Sequence, residues 1–288
     1  MRNGNAVNPE RRGLALYYLR LGVGFFTLWS AWDVTANATA WNALYTFFPF
    51  TNLFSEVMVA ATFLLYAATG LALLTGWNFR AAAALLAFML FLSTGVLQFW
   101  LPGITTVLGP FRAGAAFDLI WLGACLVLLT HETDPHNPER RSTEAREAWA
   151  PRMHLVFRLL FAAALLWDAG LRMANAHDYA LVLGDAAARM PWCAEACSRA
   201  VVSTLTGLEV FGGVVILLGP GFRAGLAAAV LAGAFMLLIL NWFMGMELLH
   251  AGGRFVMRHV LVLAAVAYFW LRGAGPGALN VRIGTRHD

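Results

Sequence analysis

Long apolar segments, each of about 20 residues, recur along the whole of this chain. They do not alternate strictly between apolar and polar positions, so they predict helices rather than the strands of a membrane barrel. Only 12% of the residues are charged and the mean hydropathy is +0.66, whereas a soluble domain carries roughly 25% charged residues. The sequence therefore predicts an all-α, polytopic membrane protein, because helices satisfy their own backbone hydrogen bonds in lipid.

Eight segments are apolar and long enough to be predicted as transmembrane helices. They cover residues 14–34, 53–77, 81–101, 113–130, 154–173, 201–218, 224–244 and 256–271. A cleavable signal peptide ending near residues 36–38 is an alternative interpretation of the first segment. The length of that segment and its match to a later one favour a retained helix.

The basic residues indicate how the chain is oriented. With the N-terminus inside, fourteen arginines fall in inner segments and six in outer segments, which predicts that both termini are cytoplasmic. The arginines lie at helix ends rather than in one patch, so nucleic-acid binding is not predicted despite a pI of about 9.3. We expect a multi-pass protein of the bacterial cytoplasmic (inner) membrane, surrounded by the lipid bilayer.

The two halves of the chain match each other. Residues of the first helix match at a spacing of 138, and residues of the second and third helices match at a spacing of 143. An even number of spans per half makes the repeat parallel rather than inverted. The matching pairs are Arg20 and Arg158, Trp29 and Trp167, Gly70 and Gly213, Gly76 and Gly219, and Arg80 and Arg223.

The repeat and the one polar central stretch predict the domain organisation. A cytoplasmic tail (1–13) precedes a first four-helix repeat (14–131), and a cytoplasmic linker (132–153) leads to a second repeat (154–273) and a tail (274–288). The linker alternates acidic residues and arginines and contains Pro135, Pro138 and Pro151. Its mixed charges favour a solvated short helix over a binding site.

Each half resembles the DoxX/DoxD-like membrane proteins. The likeness begins with an arginine entering the first helix and continues with a glutamate, glycines and an arginine-containing turn in the second; in the second half these are Arg158, Glu209, Gly212, Gly213, Gly219 and Arg223. The first half departs from this pattern, with Tyr66 at the glutamate position.

This resemblance implies a membrane and redox setting. DoxD-type members are the membrane subunit of thiosulfate:quinone oxidoreductase, and other relatives assist oxidoreductases or act as assembly factors. A quinone cofactor and a periplasmic or membrane redox partner subunit are therefore expected, while the oligomeric state is left open. No metal or haem is predicted, because His259 has no histidine partner one helix away.

Ionisable residues within spans are the candidate catalytic groups, because charge is costly in lipid. Glu209 lies near the middle of a span, and Arg258 and His259 begin the last helix on the same side of the membrane. We expect one of these two to reach Glu209, either as a structural ion pair or as a proton-coupled site beside a quinone headgroup. Asp168 is the fourth catalytic candidate.

Other polar residues gather at the outer side of the second half. Arg254, Arg172, Asn241 and His250 are predicted to bind a small anionic substrate. Cys193 and Cys197 form a CxxxC pair, predicted to close into a disulfide that is either a loop staple or an exchanging redox pair.

These residues predict a quinone-linked oxidoreductase component that accepts electrons from a small sulfur compound or dithiol on the outer side. The main alternative is a non-catalytic scaffold or assembly subunit of a larger complex, and a small-solute transporter is a third. The enzyme predicts that Glu209 and His259 line one cavity. The scaffold predicts that they pair with each other and that no cavity reaches them.

Overall fold

The computed structural model describes residues 9–39, 42, 54–92, 109–130, 144–174, 194–244 and 253–275. These ranges are helical, so the all-α class is confirmed for the described part of the chain. The eight helices are α1 (Pro9–Ala36), α2 (Ser55–Thr75), α3 (Phe79–Leu90), α4 (Gly109–Thr130), α5 (Glu144–Ala174), α6 (Ala194–Leu218), α7 (Phe222–Met244) and α8 (Gly253–Arg272).

Helix α2 shows why this chain belongs in a membrane. Its 21 residues have a mean hydropathy of 2.1, yet only 22% of the span is buried inside the protein. Val57 and Leu64 are 63% and 62% exposed, and an apolar surface of this kind is rare on a soluble monomer. Three described helices, over residues 11–36, 55–75 and 149–174, are long and apolar enough to cross a bilayer.

Each predicted span contains a helix, and one of these helices extends into the predicted linker. Helix α5 begins at Glu144, ten residues before the predicted start of the second repeat at residue 154, and Pro151 lies inside it. The residues from Glu144 to Ala148 are mostly good helix formers, which explains the extension. The polar end of the linker is therefore continuous with the span that carries Asp168 and Arg172.

The helices pack in a ring that the last helix closes against the first. Every consecutive pair of helices is in contact, and α8 returns to pack along α1. Helix α4 also contacts both α1 and α8, so it crosses the middle of the bundle. Ile120, Trp121 and Leu128 of α4 are accordingly buried in the core.

Glycines bring the first and second helices of each half close together. A Cβ atom added at Gly70 of α2 would lie 2.8 Å from Cγ of Leu28 on α1. A Cβ atom added at Gly213 of α6 would lie 2.8 Å from Cγ of Leu166 on α5. Small residues permit such close approach, and the approach of α6 to α5 brings their polar residues within reach of each other.

Candidate functional site

A buried ion pair lies near the C-terminal end of α5. Asp168 and Arg172 are four residues apart, the spacing that places two side chains on one helix face. The guanidinium Nη2 of Arg172 donates to Oδ2 of Asp168 at 2.5 Å. Arg172 is 2% exposed and Asp168 is 8% exposed, so the pair is shielded from the surroundings of the helix.

Glu209 joins this pair from α6. The same Nη2 of Arg172 donates to Oε1 of Glu209 at 3.1 Å, and Glu209 is 5% exposed. We call Asp168, Arg172 and Glu209 the triad. One guanidinium thus serves two carboxylates in a water-poor interior, where charge–charge interactions are much stronger than in water.

A small cavity opens beside the triad. It holds about 320 Å³ of unoccupied space including its mouth, of which about 10 Å³ admits the centre of a water molecule. Asp168, Glu209 and His259 are the titratable residues that line it. Its other walls are apolar or small: Ala116, Phe117, Ile120, Ala164, Leu165, Ala229, Ala232, Gly233 and Val262.

His259 reaches the cavity from the first turns of α8. It is 6% exposed, and its ring lies 5.8 Å from the ring of Phe117 on α4, measured between centroids. A Cβ atom added at Gly233 of α7 would lie 3.3 Å from Cδ2 of His259. The absence of a side chain at Gly233 therefore leaves room for the imidazole.

Glu209 has a hydrogen-bond partner that the sequence reasoning did not expect. Within the described residues it is Arg172, a residue predicted to bind substrate, whereas the side chain of Arg258, one of the two expected partners, lies outside the described part of the structure. The rotation of α5 about its axis decides this, because it turns both Asp168 and Arg172 toward α6. His259 does lie beside Glu209, as a second wall of the same cavity.

The remaining predicted site residues are only partly described. Arg254 and Arg258 lie in α8, Asn241 lies in α7 and Cys197 lies in the first turn of α6. Their side chains, and the whole of His250 and Cys193, fall outside the described part of the structure. The anion site and the disulfide therefore stay predictions.

Thr206 is a polar residue of this region that the sequence reasoning missed. It lies one turn before Glu209 on the same face of α6 and is 8% exposed. Its Oγ1 atom is buried and makes no hydrogen bond within the described residues. The three-residue spacing from Glu209 was the available signal.

A second polar cluster, also missed, closes the other end of α5. Nδ1 of His154 lies 2.9 Å from the hydroxyl of Tyr268, and Nε2 lies 3.1 Å from the carbonyl of Gly273. Arg158 donates to the carbonyl of Ala274 at 2.8 Å. These contacts satisfy carbonyl groups just beyond the C-terminus of α8, so their role is to cap that helix.

Comparison with known proteins adds no family to this picture. No protein-family model matches the chain, and no curated protein or solved structure matches it. The likeness to DoxX/DoxD-like proteins therefore stays a prediction. Within the described residues, no group of three or more His, Cys, Asp or Glu side chains is placed to hold a metal ion. The triad and its cavity are therefore the main indication of function.

Proposed function

We propose that this chain spans the bacterial cytoplasmic membrane eight times, as two parallel DoxX-like repeats of four helices. The glycine crossings support this arrangement. Gly70 meets Leu28 in the first half, and Gly213 meets Leu166 in the second. The residues of each pair are related by the same two spacings, 143 and 138, that relate the two halves of the sequence.

Contacts between the halves support the same proposal. Helix α1 packs on α8, and α5 packs on α4, so the first helix of each half meets the fourth helix of the other. A Cβ atom added at Gly22 of α1 would contact Ala264 of α8, and one added at Gly123 of α4 would lie 3.3 Å from Leu160 of α5. The spacing of 138 relates Gly22 to Leu160, which supports an equivalent crossing in the two halves.

We further propose that the protein is a quinone-linked oxidoreductase component. The observation that carries this is a single cavity lined by Asp168, Glu209 and His259 and otherwise walled by apolar or small residues. Small-molecule sites combine apolar walls with a few convergent polar groups in this way. A quinone matches that chemistry, because its ring is apolar and its two carbonyl oxygens take up protons as they are reduced.

The residues have distinct roles in this proposal. Glu209 and His259 supply protons to the quinone oxygens as a general acid pair, and Arg172 holds Glu209 in place. Electrons come from a small sulfur compound or dithiol on the outer side, relayed by Cys193 and Cys197. Because the cavity now admits about one water molecule, a headgroup enters only when the helices around its mouth separate.

One observation favours a second candidate, the non-catalytic scaffold. Arg172 of α5 bonds Glu209 of α6, and a buried ion pair of this kind fixes how two helices sit against each other. In a scaffold, the triad holds the second half in the shape that a partner subunit recognises. The two candidates differ in whether Glu209 is needed for turnover or only for assembly.

The test is quinone reduction by the purified protein in lipid nanodiscs, with thiosulfate and then a dithiol as electron donor. Glu209→Gln and Cys193→Ser are compared with the wild-type protein. Glu56→Gln is the matched control, because Glu56 of α2 is exposed and lies far along the chain from the triad.

We expect turnover that Glu209→Gln abolishes and Glu56→Gln preserves. Loss of turnover in Cys193→Ser would show that the cysteine pair belongs to the path of the electrons from the donor to the quinone. Folded wild-type protein that reduces no quinone with either donor would reject the enzyme and leave the scaffold.

A further inference from the structure

The charges of the triad do not balance. Two carboxylates, Asp168 and Glu209, share the single guanidinium of Arg172, so the triad has a net charge of −1 if both carboxylates are ionised. The side chains of Arg172, Glu209 and Asp168 are 2%, 7% and 12% exposed, and an uncompensated buried charge is strongly unfavourable. Binding one proton makes the triad neutral.

Within the described residues, His259 is the one further titratable side chain on the cavity wall beside the triad. The described part of α7 lines that wall with Ala229, Ala232 and Gly233. Helix α8 contributes His259, and α4 carries Asp118 next to the lining residue Phe117. Asp118 has an interaction of its own, so the charge of the triad is counted from Asp168, Arg172 and Glu209.

One oxygen of Glu209 is left for a ligand. Oε1 accepts the hydrogen bond from Arg172, whereas Oε2 is buried and has no hydrogen-bond partner within the described residues. Buried polar atoms are nearly always hydrogen-bonded, to protein or to an ordered water. The cavity beside Glu209 has room for about one water molecule and is lined by three polar side chains, which suits a bound water.

Thr206 extends this site by one turn of α6. A threonine in a membrane helix ordinarily donates its hydroxyl to the carbonyl four residues earlier. Thr206 makes no such bond within the described residues, although it is buried. Five other threonines follow the rule, at 2.7 to 3.1 Å: Thr27, Thr62, Thr69, Thr75 and Thr130.

We infer that the triad is a proton-binding site, in which Glu209 carries one exchangeable proton and contacts a water molecule in the cavity. In this proton transfer the carboxylic acid of Glu209 becomes a carboxylate. The water molecule accepts the released proton and passes it on. His259 lies on the same cavity and takes the proton next, and the Thr206 hydroxyl, one turn before Glu209 on α6, is a second hydrogen-bond partner for this water. This inference does not depend on quinone chemistry.

The test is infrared spectroscopy of the full chain in lipid nanodiscs, with no electron donor and no quinone present. A protonated carboxylic acid has a carbonyl stretch that is separate from carboxylate bands and shifts in D₂O. At neutral pH we expect one such band per chain for the site. Glu209→Gln should remove it, and Glu56→Gln should leave it unchanged.

A wild-type spectrum without this band at neutral pH would overturn the inference, as would a band that survives both Glu209→Gln and Asp168→Asn. Thr206→Val keeps the shape of the side chain and tests the water contact if Glu209→Gln does not fold. We expect deuterium exchange of the band to slow severalfold in Thr206→Val and not in Thr204→Val, since Thr204 is exposed. Equal exchange in these two variants would remove Thr206 from the site.

Discussion

Each half of the molecule has a close glycine contact between its first two helices, Gly70 with Leu28 and Gly213 with Leu166, but the two halves differ in the residues near that contact. The spacings of 138 and 143 relate each member of the triad to a residue of the first half. The pairs are Asp168 and Ser30, Arg172 and Val34, and Glu209 and Tyr66. A charged cluster in one half thus corresponds to two uncharged polar residues and one apolar residue in the other.

At the three equivalent positions the first half carries no charge. Val34 is fully buried, and the hydroxyl of Ser30 donates to the carbonyl of Phe26 at 2.9 Å. Tyr66 stacks on Trp121, with ring centroids 5.7 Å apart. At these positions the first half therefore packs without an ion pair.

The fourth helices explain why the cavity lies where it does. The crossings of Gly22 with Ala264 and of Leu160 with Gly123 relate α4 to α8 at a spacing of 141. At that spacing Trp121 corresponds to Val262, which lines the cavity. The indole that packs against Tyr66 in the first half is replaced by a much smaller side chain beside Glu209, and the space stays open.

The largest effect is expected from Arg172→Met. It leaves Asp168 and Glu209 buried without their cation, and breaking a buried ion pair on one side costs about 3–5 kcal/mol. Unfolding in detergent, followed by circular dichroism, measures the change. Arg152→Met is the matched control, because Arg152 is exposed and stacks on Trp149; it should cost less than about 1 kcal/mol. Equal losses of unfolding free energy in Arg172→Met and Arg152→Met would contradict the view that Arg172 stabilises two buried carboxylates.

The next test gives the three triad positions the residues that stand at the equivalent positions of the first half. The triple variant Asp168→Ser, Arg172→Val, Glu209→Tyr removes every charge of the triad together, and replacing a whole buried ion cluster with neutral groups is often tolerated. Val262 leaves space for the new ring. We expect the variant to recover at least about 2 kcal/mol of the Arg172→Met loss while losing the infrared band of the triad. A triple variant less stable than Arg172→Met would show that the triad is structural.

Hydropathy was enough to predict the helices, because each apolar segment is long and the described spans are helical. Glu209 was also identified from the sequence, since a mid-span carboxylate is costly wherever it lies. Its hydrogen bond with Arg172 was not, because that bond depends on the rotation of α5 about its axis, which hydropathy does not give. The cavity depends on the small side chain of Val262, which takes the place of Trp121. The sequence alone left the alignment of α8 with α4 unresolved by about one helical turn, so it did not predict that pairing.

Glycine substitutions ask whether the two halves respond alike. Gly70→Ala and Gly213→Ala each force a Cβ atom to within 2.8 Å of a leucine Cγ, and overpacking of this kind costs about 1–3 kcal/mol. Gly207→Ala on α6 is the control, because no described atom lies within 4 Å of its added Cβ. It should be neutral or stabilise by up to about 1 kcal/mol, since alanine favours the helix. Thermal unfolding in detergent measures all three, and a large difference between Gly70→Ala and Gly213→Ala would break the equivalence of the halves.

The smallest effect is expected from Tyr66→Phe, at the position equivalent to Glu209. The ring keeps its contact with Trp121, and only the hydroxyl is lost, so the cost should be that of one hydrogen bond at most, about 1 kcal/mol. Quinone reduction and the infrared band of the triad should be unchanged, because both belong to the second half. Tyr66→Phe and Glu209→Gln each change one polar group, at positions that the spacing of 143 relates. Testing both in the same assays therefore compares the two halves directly. If Tyr66→Phe lost quinone reduction or the infrared band, the two halves would work together, and the first half would take part in the chemistry of the second.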